Sequence, residues 1–148
     1  MRTVHYIIAT ALGAGYSPTA PGTAGTLLAL LISFFFFKGN LPLLIGATIL
    51  ATVIGTISAD FVEKDMGTED PSKVVIDEVA GMWLGLWFVP PEPILYLIAF
   101  GLFRLFDVTK LYPIDSLQDL PGGWGIMLDD IGAGIYTLLV MRLVQFFW

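Results

Sequence analysis

The sequence predicts an all-α integral membrane protein, built as a polytopic helical bundle of about four to five spans with a short N-terminal interfacial or re-entrant segment. Of its 148 residues, 56% are hydrophobic and only 14% are charged, whereas a soluble domain carries about 25% charged residues. The 16 glycines agree with this class, because small residues let membrane helices approach closely. This length is enough for one bundle, so we expect a single membrane-embedded domain over residues 1–148.

Five apolar segments are candidates for membrane spans. A helix needs roughly 20 apolar residues to cross about 30 Å of hydrocarbon, with some tolerance for shorter ones. The candidate segments are about 23–37, 41–59, 74–89, 93–106 and 125–147. The stretch Val4–Leu12 is too short to span, so we expect it to lie at the interface or to re-enter.

The charged residues sort to one side of this topology. Five of the seven Lys and Arg residues fall in, or at helix ends facing, the loops 1–22, 61–75 and 107–124, and such an excess marks the cytoplasmic side. Twelve of the 13 acidic residues share that side, all but Glu92. The face with the candidate chemistry is therefore expected to be cytoplasmic. The net charge of −6 argues against nucleic acid as a partner.

Two pairs of adjacent carboxylates, Asp77–Glu78 and Asp129–Asp130, lie near the beginnings of apolar segments. A helix N-terminus favours one negative charge, but a second beside it adds repulsion unless a cation lies between the helices. Carboxylate oxygens suit Mg²⁺, whereas the single histidine and the lack of cysteine make zinc or copper sites improbable. The pattern predicts Mg²⁺ held by these four residues, with Gly132 and Gly134 allowing neighbouring helices to approach. Isolated acidic residues such as Asp60 are interpreted as solvated helix-end charges.

Two further patterns are suited to an anionic ligand. Arg104, Asp107 and Lys110 follow one another at intervals of three residues, and an arginine and a lysine beside a metal favour phosphate. The alternative is a local ion pair. The segment "PGTAGT" leads into a helix and contains Thr23 and Thr26, so its backbone N–H groups and hydroxyls are candidates for phosphate binding. A structural loop capped by threonine is the alternative here.

Four motifs occur in an order and spacing that is similar to one family: "GYSPTAPGTAGT", "DPSKVVIDEVAGMW", "FRLFDVTKLYPI" and "GGWGIMLDDIGAG". The chain resembles the phosphatidylglycerophosphatase A family over about residues 12–135. The resemblance implies a Mg²⁺-dependent, multi-pass enzyme of the bacterial cytoplasmic (inner) membrane, which hydrolyses phosphatidylglycerophosphate to phosphatidylglycerol and phosphate. It implies five catalytic candidates, which are Asp77, Glu78, Asp107, Asp129 and Asp130. Arg104 and Lys110 match the basic positions of the third motif.

Several alternatives stay open at this point. The hydrolysis has two possible mechanisms: either water attacks phosphorus directly, or an aspartate is phosphorylated first and water then releases the phosphate. A lipid phosphotransferase using a CDP-lipid also needs Mg²⁺ and aspartates, but its D-x-x-D-G-x-x-A-R signature is absent from the sequence. A cation channel or proton-coupled membrane carrier is the non-enzyme alternative, and it predicts ionisable groups near the middle of the spans.

Overall fold

A computed structural model describes residues 2–68, 71–109 and 122–147. These residues form six α-helices and contain no β-strand, so the predicted all-α class is confirmed for the described part of the chain. The helices are α1 (Arg2–Ala9), α2 (Pro21–Ile32), α3 (Leu41–Met66), α4 (Ile76–Gly85), α5 (Pro93–Thr109) and α6 (Gly122–Phe147). A 3₁₀ turn, Ala14–Tyr16, precedes α2, and a π-helical turn, Ser33–Phe37, continues it.

Local sequence explains both ends of α3. The Asn40 side chain accepts a hydrogen bond from the N–H of Leu43 at 3.2 Å, and Pro42 lies in the first turn, both of which favour helix initiation. At the other end Gly67 adopts φ 66° and donates its N–H to the Glu63 carbonyl, as a glycine after a helix commonly does. The helix therefore runs two turns beyond the apolar segment, through charged residues.

The helix α4 lies at the centre of the bundle and contacts α2, α3, α5 and α6. Its contact with α6 is a backbone contact made possible by glycine. A Cβ at Gly81 would lie 2.5 Å from the carbonyl oxygen of Asp130, and one at Gly134 would lie 2.5 Å from the carbonyl oxygen of Gly81. Such small residues bring helix axes close together. The carboxylates at the start of α4 and those on α6 are thereby brought to one place, as expected for Gly134.

The helix α4 is shorter than its predicted segment and ends at Gly85 instead of Val89. Two prolines follow at positions 90 and 91, and the residue before a proline is disfavoured in helical conformation. Phe88 adopts φ 66° in the connecting turn. The chain therefore reverses early, and α5 begins at Pro93 as predicted.

The N-terminal segment is the helix α1, which packs along the second half of α3. Arg2 Nε lies 3.0 Å from Asp65 Oδ2, and the Tyr6 hydroxyl donates to the same oxygen at 2.7 Å. His5 Nδ1 lies 3.0 Å from Ser58 Oγ, and its ring stacks on Phe61. This segment is therefore held by polar contacts to the end of α3 that carries the acidic residues.

Length and composition single out α3 (Leu41–Met66) as the one helix, within the described ranges, that is long and apolar enough to cross a membrane. The helical segment Pro21–Phe37 is apolar but shorter. The predicted bundle of four to five spans is thus supported as a helical bundle, and its membrane topology is taken up below as a proposal.

Candidate metal and phosphate site

A cavity of about 290 Å³ opens where the first turns of α2 and α4, the last turn of α5 and the first half of α6 meet. Pro21 and Gly22 of α2 and the segment 71–74 form part of its wall. Carboxylates supply its chemistry: Asp77, Glu78, Asp107, Asp129 and Asp130 all line it. The structure thus brings together the five residues that the sequence singled out as catalytic candidates.

Asp129 and Asp130 lie two turns inside α6, because that helix begins at Gly122 and not close to the pair. The favourable effect of a helix N-terminus on negative charge decays within the first turn. Helix capping therefore does not account for this pair. Their position opposite the first turn of α4, where Asp77 and Glu78 lie, does account for it.

The carboxylates are deeply buried. The four aspartates are between 1% and 7% exposed, and the Glu78 side chain is 12% exposed. Three of their oxygens are buried without a hydrogen-bond partner among the described residues: Asp77 Oδ1, Glu78 Oε2 and Asp130 Oδ1. A buried polar atom without a partner is costly, and a carboxylate more so. These oxygens are the atoms that a bound cation would satisfy.

Ligand atoms of the five residues form two groups of three. Asp77, Asp129 and Asp130 offer oxygens within 4.8 Å of one another, and so do Glu78, Asp107 and Asp130. Both groups can hold a metal ion. Their donors are carboxylate oxygens only, which suits hard cations such as Mg²⁺. The chain has no cysteine, and its single histidine, His5, contacts Ser58 and Phe61 on α3. The donor set therefore disfavours zinc and copper.

Arg104 lies at the edge of this cluster, one helical turn before Asp107. Its Nη1 donates to Asp107 Oδ2 at 2.5 Å and lies 3.9 Å from Glu78 Oε1. The first turn of α2 packs against the same groups, since a Cβ at Gly22 would lie 3.1 Å from Glu78 Oε1 and 3.2 Å from Arg104 Nη1. The local ion pair considered from sequence exists, and it adjoins the cavity.

The remaining phosphate-binding candidates are placed differently. Thr26 is fully buried and donates its hydroxyl to the Gly22 carbonyl at 2.8 Å, so its hydroxyl serves the helix. Thr23 is half-buried in the first turn of α2, beside Gly22. Lys110 lies outside the described residues. The N–H groups of a first helical turn have no acceptor within the helix. The first turn of α2 lines the cavity through Pro21 and Gly22.

Sequence reasoning missed one residue of the site and one contact outside it. Ser72 is exposed at the cavity wall and has no role in the sequence-based prediction. The signal that could have identified it is its position five residues before Asp77. Asp60 was interpreted as a solvated charge. It does pair with Lys64 at 2.9 Å, but it also accepts a hydrogen bond from the Gly123 N–H at 3.2 Å.

A family model for phosphatidylglycerophosphatase A matches residues 7–145. The chain belongs to this family. It is therefore an enzyme, a phosphoric monoester hydrolase, as the resemblance implied. The matched residues include α2 to α5 whole, residues 7–9 of α1, α6 up to residue 145, and the whole described site.

Three relatives match nearly the whole chain. A Bacteroides thetaiotaomicron protein, provisionally named as a phosphatidylinositol-3-phosphatase, is 38% identical over 147 residues, with 94% of this chain and 92% of its own length covered. The phosphatidylglycerophosphatase A of Escherichia coli K12 is 34% identical, covering 100% of this chain and 87% of its own length. That of Haemophilus influenzae is 31% identical, covering 95% and 88%. No solved structure gave a significant match.

Proposed function

We propose that this enzyme hydrolyses phosphatidylglycerophosphate to phosphatidylglycerol and inorganic phosphate, with Mg²⁺ as cofactor. The observation that carries the proposal is the buried carboxylate cluster with three unpartnered oxygens beside Arg104, in a chain of this family. A cavity that combines cation ligands with a guanidinium suits a phosphate monoester, because the ester oxygens then have positive partners on two sides.

The donor set favours Mg²⁺ as the cation. Mg²⁺ is commonly bound by one or two carboxylates, with waters and substrate phosphate completing its coordination. Asp77, Glu78, Asp129 and Asp130 remain our candidates to hold it, with Asp107 adjoining them. When bound, the ion supplies Lewis-acid stabilisation of the phosphoryl oxygens and lowers the pKa of a coordinated water.

The residues of the chain bind and orient the phosphate. Arg104 would neutralise a phosphoryl oxygen from one side. The first turn of α2, whose Pro21 and Gly22 line the cavity, is proposed to donate backbone N–H groups from another. Lys110, next along from α5 in the sequence, is proposed to add a second positive charge. Thr23, in the first turn of α2, stays a candidate donor, whereas the hydroxyl of Thr26 is already engaged with Gly22.

In the net reaction the oxygen–phosphorus bond to the glycerol breaks and the oxygen of water bonds to phosphorus. The departing glycerol oxygen takes up one proton. A carboxylate of the cluster takes the proton of the attacking water, or itself attacks phosphorus and is released by water in a second step. Trapping a phosphoryl-enzyme separates these routes, because such a species forms only in the second, whereas both routes place one oxygen of water in the phosphate.

We propose a multi-pass protein of the bacterial cytoplasmic membrane with the cavity facing the cytoplasm, forming one membrane-embedded domain over residues 1–148. Exposed apolar side chains support this, for instance Ile49, Val53, Leu97 and Leu139 on α3, α5 and α6, because apolar surface of this kind favours contact with lipid. Most Lys and Arg residues lie toward the cavity side in the sequence topology. The lipid tails would enter the bundle sideways from the membrane.

The carrier or channel alternative is less well supported. It needs ionisable groups along a path through the bundle, whereas the described carboxylates of the site gather where the first turn of α4 and the last turn of α5 meet the first half of α6. A phosphoinositide is a second candidate substrate, because the Bacteroides relative is named for it. Both lipids end in a phosphate monoester, the group that the proposed cation and Arg104 would bind.

Phosphate release from detergent micelles tests the proposal. The wild-type chain, Asp129→Asn and the control Glu92→Gln, whose side chain is exposed in the turn before α5, are compared with and without Mg²⁺. Phosphatidylglycerophosphate and phosphatidylinositol 3-phosphate serve as substrates. We expect Mg²⁺-dependent release from the first lipid that collapses only in Asp129→Asn. Preferential release from the second lipid would reassign the substrate, and no release from either by folded protein would contradict the proposal.

A further inference from the structure

We propose that the carboxylate cluster binds two divalent cations in adjacent sites that share Asp130. Site 1 consists of Asp77, Asp129 and Asp130, and site 2 consists of Glu78, Asp107 and Asp130. The inference rests on the proposed function, and it specifies how many cations that function uses and which residues hold each.

Distances between the ligand atoms favour two sites over one. Oxygens bound to a single Mg²⁺ at 2.0–2.1 Å lie at most about 4.2 Å from one another. Among the described residues, carboxylate oxygens within 4.8 Å of one another form two groups of three and no group of five. One ion would therefore not be held by all five carboxylates in this arrangement, whereas two ions, one for each group, would account for all five.

Each site has an unpartnered oxygen of its own. Asp77 belongs to site 1 alone and Glu78 to site 2 alone. One oxygen of each, Asp77 Oδ1 and Glu78 Oε2, has no hydrogen-bond partner among the described residues. The shared residue, Asp130, is 1% exposed and its Oδ1 is also without a partner. A cation in site 1 alone would leave the buried Glu78 oxygen unsatisfied, and a cation in site 2 alone would leave that of Asp77. A buried carboxylate oxygen without a hydrogen-bond or metal partner lowers the stability of the folded protein.

Arg104 is compatible with a cation in site 2. Its Nη1 donates to Asp107 Oδ2 at 2.5 Å and lies 3.9 Å from Glu78 Oε1. A carboxylate can accept a hydrogen bond from a guanidinium with one oxygen and ligate a metal with the other, and ligating carboxylates are commonly held in this way. Arg104 thus orients Asp107 toward the site and remains within reach of a bound phosphate.

A pair of cations bridged by one carboxylate suits hydrolysis of a phosphate ester. In sites with two metals about 3.5–4 Å apart, the attacking and the leaving oxygen are stabilised by different ions. The two groups share Asp130 and divide the α4 pair between them: Asp77 belongs to site 1 and Glu78 to site 2. This division explains why α4 carries two adjacent carboxylates and not one.

Binding of Mn²⁺ to the full-length chain in detergent tests the inference. Electron paramagnetic resonance counts bound ions from the free Mn²⁺ signal, and spectra at low temperature detect magnetic coupling between neighbouring ions. We expect two coupled Mn²⁺ per chain for the wild type and for Glu92→Gln. We expect one uncoupled ion for Asp129→Asn and for Glu78→Gln. Circular dichroism and size-exclusion chromatography establish that the variants are folded. The number of Mn²⁺ ions bound by the wild-type chain tests the inference even if a variant does not fold.

The outcomes separate this inference from the proposed function. One Mn²⁺ per wild-type chain, together with Mg²⁺-dependent phosphate release, would overturn the second site and leave the proposed function standing. Two ions that persist in both Asp129→Asn and Glu78→Gln would lie elsewhere and overturn the assignment of residues. No bound Mn²⁺ in an active preparation would contradict both.

Discussion

The carboxylate of Asp60 accepts a hydrogen bond from the backbone N–H of Gly123, 3.2 Å away, and so joins the end of α3 to the first turn of α6. The backbone of α6 lies very close to α3 at this point. Gly122 adopts φ 62°, and a Cβ at Gly123 would lie 2.2 Å from the Thr56 carbonyl oxygen. An acceptor at a helix N-terminus stabilises that helix, and here it comes from a different helix. Asp60 therefore anchors the helix that carries Asp129 and Asp130.

We expect Asp60→Ala to lower the free energy of unfolding by about 0.5–2 kcal/mol, the usual effect of losing a helix cap. Asp60→Asn retains an oxygen acceptor and is expected to recover most of the loss. Thermal unfolding of the three proteins in one detergent measures the difference. Lys64→Gln is the matched control, because it removes the 2.9 Å ion pair but not the hydrogen bond, and an exposed pair contributes about 0–1 kcal/mol. Equal losses for Lys64→Gln and Asp60→Ala would show that the ion pair matters instead.

Gly81→Ala is expected to destabilise the bundle and weaken cation binding. Its Cβ would lie 2.5 Å from the Asp130 carbonyl oxygen and 2.6 Å from Phe103 Cε1, so α4 and α6 must separate. Forcing an extra carbon into a packed contact costs about 1–3 kcal/mol. Unfolding temperature and Mn²⁺ affinity are measured together. Gly101→Ala is the control, since nothing lies within 4 Å of its Cβ, and we expect it to be unchanged or slightly more stable. An unaltered Gly81→Ala protein would contradict the close backbone contact.

Arg104→Gln is expected to reduce kcat/KM about tenfold to a hundredfold, corresponding to the roughly 1.5–3 kcal/mol of a hydrogen bond to a charged group. Arg104→Lys should recover part of the loss, because it restores the charge but not the planar pair of donors. Steady-state phosphate release measures both, with folding followed by circular dichroism. Equal activity of Arg104→Gln and wild type would restrict Arg104 to its ion pair with Asp107.

Thr26→Val separates the structural from the phosphate-binding interpretation of the α2 segment. The Thr26 hydroxyl donates to the Gly22 carbonyl and the residue is fully buried. Valine keeps the shape, so we expect activity within about threefold of wild type and a stability loss near 1 kcal/mol. Phosphate release and thermal unfolding are the measurements. A loss of activity larger than tenfold in a folded Thr26→Val protein would assign the hydroxyl to phosphate binding after all.

The helices were largely predictable because their signals are local. Apolar runs, the proline at the start of α5 and the Asn40 and Gly67 caps act within a few residues of the chain. The ends of the helices were less predictable where residues outside the apolar segment determine where the helix begins or ends. The predicted third segment ran past Gly85, and the predicted last segment began three residues after Gly122.

The candidate site was predictable in its residue types and less so in its arrangement. Adjacent carboxylates in an apolar chain already indicate a cation, since little else makes a second carboxylate favourable there. The orientation of Thr26 and the link from Asp60 to Gly123 depend on rotations of helices about their axes, which a short polar motif does not specify.

The sequence by itself determined an all-helical chain whose oxygen ligands and arginine suit a divalent cation and a phosphate, because residue chemistry and hydrophobic periodicity are properties of the chain alone. Only the tertiary structure decided which carboxylates meet. Gly81 and Gly134 allow α4 and α6 to touch backbone to backbone, and that distance places Asp130 in both groups of ligands. Contacts of a few ångströms between residues about 50 apart in sequence depend on how whole helices pack.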